Sequence, residues 1–128
     1  MSANGILQAA TVIAKTTQTA VGSIIGCAGA DYITFFCTYV KGDETGLDLI
    51  VSFQRTETST AHPEVVWTAS GGVYTLAAAK HRLTASANAS FTVDVRGVDY
   101  VMLTQGGSNN DGTPTGTLAA SYTLKRGS

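Results

Sequence analysis

The stretch DYITFFCTYV, residues 31–40, alternates apolar and polar side chains with a period of two. In an extended strand this spacing puts the large apolar side chains and one cysteine on a single face, namely Ile33, Phe35, Cys37 and Tyr39. A second alternating stretch, LDLIVSF over residues 47–53, follows a polar, glycine-containing segment at 41–46 that is typical of a turn. The sequence therefore predicts a β-hairpin made of these two strands.

Three later stretches, at 90–96, 98–104 and 117–125, continue the strand pattern. The first alternates Phe91, Val93 and Val95 with polar residues, whereas the second is apolar on both faces and is typical of a strand covered on two sides. Helical spacing is nearly absent, and Gly, Asn, Asp and Ser separate the short strands. We therefore predict an all-β fold, a single antiparallel β-sandwich domain over residues 1–128 that is jelly-roll-like and has about eight strands.

Two regions carry weaker signals. Residues 6–15 are mildly apolar on both faces, which indicates an edge strand or an arm laid on a neighbour, with a short N-terminal arm at about 1–5. Strands are also expected on both sides of Ser70-Gly-Gly72, and strand and turn, or one helical turn, at 76–83. We interpret Trp67, the single tryptophan, as a core residue, and expect the tyrosines to be core rather than ligand-stacking residues.

Composition excludes several classes of protein. The chain has 128 residues, a formal net charge of -1 and only 13% charged residues, so it is neither a disordered chain nor a non-specific nucleic-acid binder. No apolar window reaches the about 18 residues of a membrane helix. The N-terminus lacks the basic start of a signal peptide, and we expect a soluble protein made in a cytoplasm. Low charge also favours association with copies or partners.

Catalytic signatures are scarce. The two histidines are His62, in a loop-like Thr-Ala-His-Pro-Glu segment, and His81, between Lys80 and Arg82. No Gly-x-Ser-x-Gly elbow accompanies them. We therefore expect a non-enzyme without cofactor, while a histidine beside a serine or carboxylate in a cleft would indicate a hydrolase.

Metal, disulfide and glycan signals are also weak. Acidic and amide side chains cluster in two predicted turns, the first with Asp43, Glu44 and Asp48 and the second with Asn109, Asn110 and Asp111. Neither cluster has the ligand spacing of an EF-hand, so no metal is expected, although a structural calcium stays open. Cys27 and Cys37 are interpreted as small buried hydrophobes rather than a disulfide. The Asn88-Ala-Ser90 sequon is expected to be unused.

Three segments resemble a known family. They are FTVDVRGVDYVML at 91–103, GGSNNDGTPTGTL at 106–118 and TYVKGDETGLDLIVSF at 38–53. They resemble the paired strands and the Gly-rich loop closing on Thr-Gly-Thr in small β-sandwich virion proteins of tailed bacteriophages. These motifs are structural turns, and no catalytic residue comes with them.

The resemblance implies a structural component of a phage particle, made in the bacterial host cytoplasm and located in the virion. A capsid decoration (cement) protein is the leading expectation. It would act as a homo-oligomer and bury surface against other virion proteins such as the major capsid protein. A neck or tail component is the alternative within this class.

Candidate interface residues are expected in three segments, the polar N-terminal arm from Ser2 to Leu7, the loop at 56–64 and the loop at 106–116. They are Ser2, Asn4, Ile6, Leu7, Thr58, His62, Asn109, Asn110, Asp111, Thr113 and Pro114. A different class, a carbohydrate-binding β-sandwich module, would be indicated by a solvent-facing Trp67 or Tyr74.

Overall fold

Two antiparallel β-sheets and a separate hairpin make up the chain in a computed structural model, which describes residues 2–108 and 112–126. The strands within these residues are β1 (Ser2–Val12), β2 (Thr19–Ala20), β3 (Ile25–Gly26), β4 (Tyr32–Val40), β5 (Leu47–Gln54), β6 (His62–Pro63), β7 (Val65–Ser70), β8 (Val73–Ala78), β9 (His81–Leu83), β10 (Ala87–Asp94), β11 (Tyr100–Gly107) and β12 (Thr117–Lys125). The prediction of an all-β sandwich is confirmed. The described strands outnumber the predicted eight because β2, β3, β6 and β9 are only two or three residues long.

The two large sheets are built around central strands. In sheet A the order is β1-β12-β4-β10. In sheet B, β11 and β5 form the centre, β2 and β3 pair with the free side of β11, and β6 and β9 pair with the free side of β5. Every one of these pairings is antiparallel. Within the described residues, no helix has the length and apolar character needed to cross a bilayer.

The core lies between sheets A and B and is formed by the faces that the alternation predicted. Its fully buried side chains include Ile33, Phe35, Tyr39, Leu47, Leu49, Val51, Val95, Val101, Leu103 and Leu118. The opposite faces of β4 and β10 are exposed or half-buried, so the predicted inward and outward sets of these strands are confirmed. On β12, Leu118 and Ala120 are buried, and Tyr122 and Leu124 pack against the core from its margin.

The predicted β4–β5 hairpin is wrong. β4 pairs with β10 and β12 in sheet A, whereas β5 pairs with β11 in sheet B, so the two strands belong to different sheets. Alternation specifies which face of a strand is buried but not which strand lies beside it. The segment 41–46 therefore crosses from one sheet to the other.

Glu44 holds this crossing in place. Its buried carboxylate accepts hydrogen bonds from the Tyr39 hydroxyl and from the backbone N–H groups of Gly42 (2.8 Å), Thr115 (3.1 Å) and Gly116 (2.8 Å). Burial alone raises the pKa of this carboxyl, but the hydrogen bonds together outweigh it and lower the pKa to about 2. Burial and the neighbouring carboxylate raise the pKa of Tyr39. Glu44 thus ties the crossing between the sheets to the chain that enters β12.

The approach of the two loops is close enough to require glycine. A Cβ added to Gly116 would stand 2.1 Å from Glu44 Oε2, and one added to Gly42 would stand 2.0 Å from Thr115 Oγ1. This end of the sandwich therefore depends on two residues without side chains.

The N-terminal segment is the edge strand of sheet A. Residues 2–5 of the predicted N-terminal arm pair with β12, from Ser2 with Lys125 to Gly5 with Tyr122, and are part of this strand. Gly5 lies against the Tyr122 ring, where an added Cβ would stand 2.5 Å from the ring carbons. The N-terminal residues thus cover part of β12.

Both cysteines are buried and belong to the core, and both are free thiols. Burial raises the pKa of each thiol to about 11, and Asp99 adds to the effect at Cys27. The thiols are therefore protonated and unreactive at neutral pH.

Candidate functional site

β7 and β8 form a hairpin that stands apart from both large sheets, and we name residues 65–78 the arm. Within the described chain each of its two strands pairs only with the other. Gly71 and Gly72 connect them, with φ values of 58° and 78°. Two successive residues in this left-handed region make the tight turn whose twist matches that of the flanking strands, and glycine adopts it without strain.

The arm has one wholly apolar face. Residues that pair directly in an antiparallel ladder lie on the same face, and the register pairs Trp67 with Leu76 and Ala69 with Tyr74. The full apolar face is Val65, Trp67, Ala69, Tyr74, Leu76 and Ala78. The opposite face is mixed, with Thr68 across from Thr75. The sequence of the arm, VVWTASGGVYTLAA, contains no charged residue.

Nothing in the described chain covers this face. Trp67 is 61% exposed and Tyr74 is 70% exposed, and their rings meet edge to face with centroids 6.5 Å apart. The interpretation of Trp67 as a core residue is therefore wrong, because the strand that carries it lies outside both sheets. Among the tyrosines, Tyr39 is a core residue as expected, whereas Tyr74 is not.

The root of the arm is fixed to the sandwich. The Glu64 N–H donates to the Val51 carbonyl (2.8 Å), and the Ala79 N–H donates to the Glu64 carbonyl (2.7 Å). The Glu64 carboxylate also lies 2.9 Å from His81 Nε2, and the His81 ring stacks on Phe91 with centroids 4.2 Å apart. The arm is thus anchored to β5 and β10 at its base and free beyond it.

The two histidines have different surroundings. His62 is exposed in β6, opposite Phe53. His81 is half-buried at the root of the arm, where its ring lies within hydrogen-bond distance of Glu64.

The carboxylates of the first predicted acidic cluster lie apart from one another. Glu44 accepts hydrogen bonds where the chain crosses between the sheets, whereas Asp48 forms a bidentate pair with Arg82 at 2.7 and 3.1 Å. In the described part of the chain, no group of three or more His, Cys, Asp or Glu is placed to hold a metal ion.

A second surface, uncharged and with two exposed apolar side chains, lies on the outer face of sheet A. One row across the sheet reads Ile6, Ser121, Phe36 and Ser90, on β1, β12, β4 and β10 in turn. Ile6 is 84% exposed and Phe36 is 47% exposed. Together with small neighbours such as Ala119 they border an open groove of about 390 Å³, which we name the sheet A groove.

The predicted interface residues that the structure describes lie in separate places. Ile6 borders the sheet A groove, Leu7 packs against the core, and the Asn4 side chain accepts a hydrogen bond from Thr123 (2.9 Å). Ser2 pairs with Lys125 at the edge of sheet A, and Thr58 and His62 lie on exposed parts of the 56–64 segment.

The predicted loop at 106–116 is held to the rest of the fold at its C-terminal end. Thr113 is exposed, but Pro114 is buried within the chain and is not free to contact a partner. Asn109, Asn110 and Asp111 lie outside the described residues. The backbone groups of Thr115 and Gly116 are bound to Glu44, so this end of the loop is part of the fold.

Sequence reasoning missed the arm. The alternation of Val65, Trp67 and Ala69 is the same for a strand in the core and for a strand whose apolar face is covered by another subunit. The signal that distinguishes them is the absence of charge over all fourteen residues of the arm, because a strand with one solvated face usually carries charged or strongly polar side chains there.

The fold belongs to the class of two-sheet antiparallel β-sandwiches, with one hairpin outside the sheets. No known protein family matches the chain, and no curated protein matches it. The crystal structure of the SPBc2 prophage-derived protein YomS is similar, with a TM-score of 0.55 and 10% sequence identity over 97% of this chain and 92% of that one. At this identity the likeness shows a shared fold.

A chain in the structure of infectious bursal disease virus, Gx strain, also aligns. It is 13% identical with a TM-score of 0.43, over 98% of this chain and 30% of that one. A TM-score this low carries no argument about fold or function.

Exposure of Trp67 gives a direct optical test of the arm. Because Trp67 is the only tryptophan and is 61% exposed, the dilute folded protein should emit at nearly the wavelength of the unfolded chain and be readily quenched by acrylamide. Phe91→Trp in a Trp67→Phe background, which places the probe beside the core, is the control and should emit further to the blue. Blue-shifted, protected emission from dilute wild-type protein would contradict an uncovered arm.

Proposed function

We propose that the chain is a virion structural protein of a tailed phage, without enzymatic activity or cofactor, and that it acts as a capsid decoration protein. It would work by burying surface against neighbouring subunits. The observation that carries the proposal is the arm, a charge-free hairpin with one apolar face and nothing covering it.

An isolated two-stranded hairpin is marginally stable in water, and its exposed aromatic rings are costly to hydrate. Large exposed apolar patches on a soluble protein usually mark interaction sites. Tyr and Trp are enriched among the residues that dominate binding energy at protein interfaces. The arm therefore has the composition of a docking element that becomes covered in an assembly.

The likeness to YomS supports a phage origin, because that protein derives from a prophage and its fold spans nearly the whole chain. The sequence segments that resemble tailed-phage virion proteins point the same way. Both are consistent with a protein made in the host cytoplasm and placed in the particle, where it contacts copies of itself and proteins such as the major capsid protein. A neck or tail position is the alternative within this class.

Exposure of Trp67 and Tyr74 favours a second candidate, a carbohydrate-binding module. Sugar rings stack on flat aromatic platforms flanked by hydrogen-bonding side chains. Here the two rings are nearly perpendicular, at 83°, and the rest of that face is Val, Ala and Leu. A protein surface fits this chemistry better than a glycan does.

The test is the position of the protein in particles. Antibodies against the folded chain would be applied to phage particles purified from cells that carry the gene, with gold labelling in the electron microscope. We expect regular labelling over the head. Labelling confined to the neck or tail would overturn the decoration role and support the alternative. Particles without the protein, combined with saturable quenching of Trp67 fluorescence by an oligosaccharide, would overturn the virion role in favour of glycan binding.

A further inference from the structure

We propose that the arm of one copy docks into the sheet A groove of a second copy. This inference rests on the virion role, because it names the partner that covers the arm. It joins two surfaces that the chain leaves open, one protruding and one concave.

The two surfaces match in shape. The arm presents two aromatic side chains and a leucine from a narrow ribbon. The sheet A groove is lined by small side chains, including Ser121 and Ala119, and by the larger side chains of Ile6, Phe36, Gln8 and Asn88. Packing of one sheet face on another needs large side chains to fit between small ones. Trp67 and Tyr74 can therefore fill a space that no described residue of the same chain fills.

The two surfaces also match in charge. The arm contains no charged residue. The row of Ile6, Ser121 and Phe36 on sheet A and the adjacent pair of Thr38 and Ala119 also contain no charged residue. The charged side chains Asp94 and Lys125 lie at one end of the outer face, in the row of Tyr32. Contact between the two surfaces therefore desolvates no charged group, and the polar groups of the groove that it covers are uncharged amides and hydroxyls, such as those of Asn88, Thr38 and Ser121.

The dimensions suit such a contact. A six-residue strand is about 20 Å long, and four strands at a spacing of about 4.8 Å form a sheet of similar width. The apolar face of the arm exposes roughly 600 Å², of the same order as the about 800 Å² that each partner contributes to a standard protein interface. The arm is thus long enough to cross the groove and large enough to hold a second copy.

The contact joins two different surfaces of the chain. The root of the arm is hydrogen-bonded to β5 in sheet B, whereas the groove lies on the face of sheet A that points away from sheet B. One copy therefore offers its arm and a different surface receives it. A single contact of this kind leaves one arm and one groove free, so two copies that dock reciprocally form a closed dimer and copies that dock in succession form rings or open chains.

The test uses two variants that damage opposite sides of the contact. Trp67→Ser with Tyr74→Ser removes the aromatic side chains from the arm, and Ser121→Arg fills the groove with a charged side chain. Val66→Thr with Val73→Thr, on the other face of the arm, is the matched control. Ile6→Lys is a second groove variant, at a site so exposed that the fold should tolerate it.

Light scattering over a concentration series measures the mass of each protein and of their mixtures. We expect wild type and the control to associate, and both damaged variants to stay monomeric. Mixing the arm variant with the groove variant should restore a dimer, because one supplies an intact groove and the other an intact arm. The dimer should not grow, since its remaining arm and groove are both damaged.

Other outcomes overturn the inference. If the groove variants associate like wild type while the arm variant does not, the arms bind each other or another surface. If wild type is monomeric at every concentration, a second copy is not the occupant. Gold labelling of particles can still succeed in that case, so failure of this inference is distinguishable from failure of the virion role.

Discussion

Replacing Glu44 with alanine is expected to lower the free energy of unfolding by about 3–5 kcal/mol, a large part of the 5–15 kcal/mol typical of a domain. The substitution leaves the Tyr39 hydroxyl and the Gly116 N–H without their acceptor at a buried position, and the N–H groups of Gly42 and Thr115 without theirs at a partly buried one. Each unsatisfied buried donor costs about 1–3 kcal/mol, reduced where water can enter. Urea unfolding followed by circular dichroism measures the effect.

Asp43→Ala is the matched control, because Asp43 is the adjacent carboxylate and is exposed. It should change the free energy of unfolding by less than about 0.5 kcal/mol. Equal losses for the two variants would show that the Glu44 carboxylate does not hold the loops together.

The same carboxylate should make stability depend on acidity. Its pKa moves from 4.5 in the unfolded reference to about 2 in the folded chain, so its contribution is complete above pH 4.5 and is lost as the pH falls towards 2. Between these values the wild type should lose roughly 1–3 kcal/mol that Glu44→Gln does not lose. Hydrogen bonds from Arg96 lower the pKa of Asp94 to about 2 as well, but that exposed pair is present in both proteins and cancels in the comparison.

Removing the arm is expected to abolish assembly and leave the sandwich intact. The Ala79 N–H donates to the Glu64 carbonyl at 2.7 Å, so an Asn-Gly turn can join residues 64 and 79 in place of 65–78. The strands of the arm pair with neither large sheet, and the melting temperature should therefore change by only a few degrees. Self-association should weaken by at least about 100-fold, roughly 2.7 kcal/mol.

Incorporation into particles is the second measurement for this variant. Phage grown with the shortened protein should release heads that carry little or none of it, whereas the Val66→Thr, Val73→Thr protein should be present at the wild-type level. Normal incorporation of the shortened chain would show that another surface, such as the exposed segment at 56–64, makes the contact with the particle.

Several elements were predictable from the sequence because burial imposes a period of two on a strand. The buried faces of β4, β10 and β12 follow from that period alone. Pairing did not follow, since the segment 41–46 has the composition of a hairpin turn although it passes between sheets. Its path depends on Glu44 reaching donors on the chain near residue 115, a contact between residues about seventy positions apart that no local pattern shows.

The candidate site was harder to predict than the core. A strand that is covered by its own chain and a strand that is covered by a neighbour can share the same alternation, so the absence of charge over residues 65–78 is the sequence signal that separates them. Ile6 is predicted at an interface as part of the N-terminal arm, and the structure places it at the border of the sheet A groove, where the interface role stays a prediction. Trp67 was assigned to the core because a single indole usually fills an interior.

The lack of charge on the arm also determines how fast and under what conditions it finds a partner. Without electrostatic steering, encounter proceeds at the unassisted rate of about 10⁵–10⁶ M⁻¹s⁻¹, and added sodium chloride does little to slow it. The attraction is that of apolar surface leaving water, so it weakens in the cold and strengthens in sulfate or phosphate. A particle held together through such arms would tolerate wide changes in salinity and would come apart most readily near freezing.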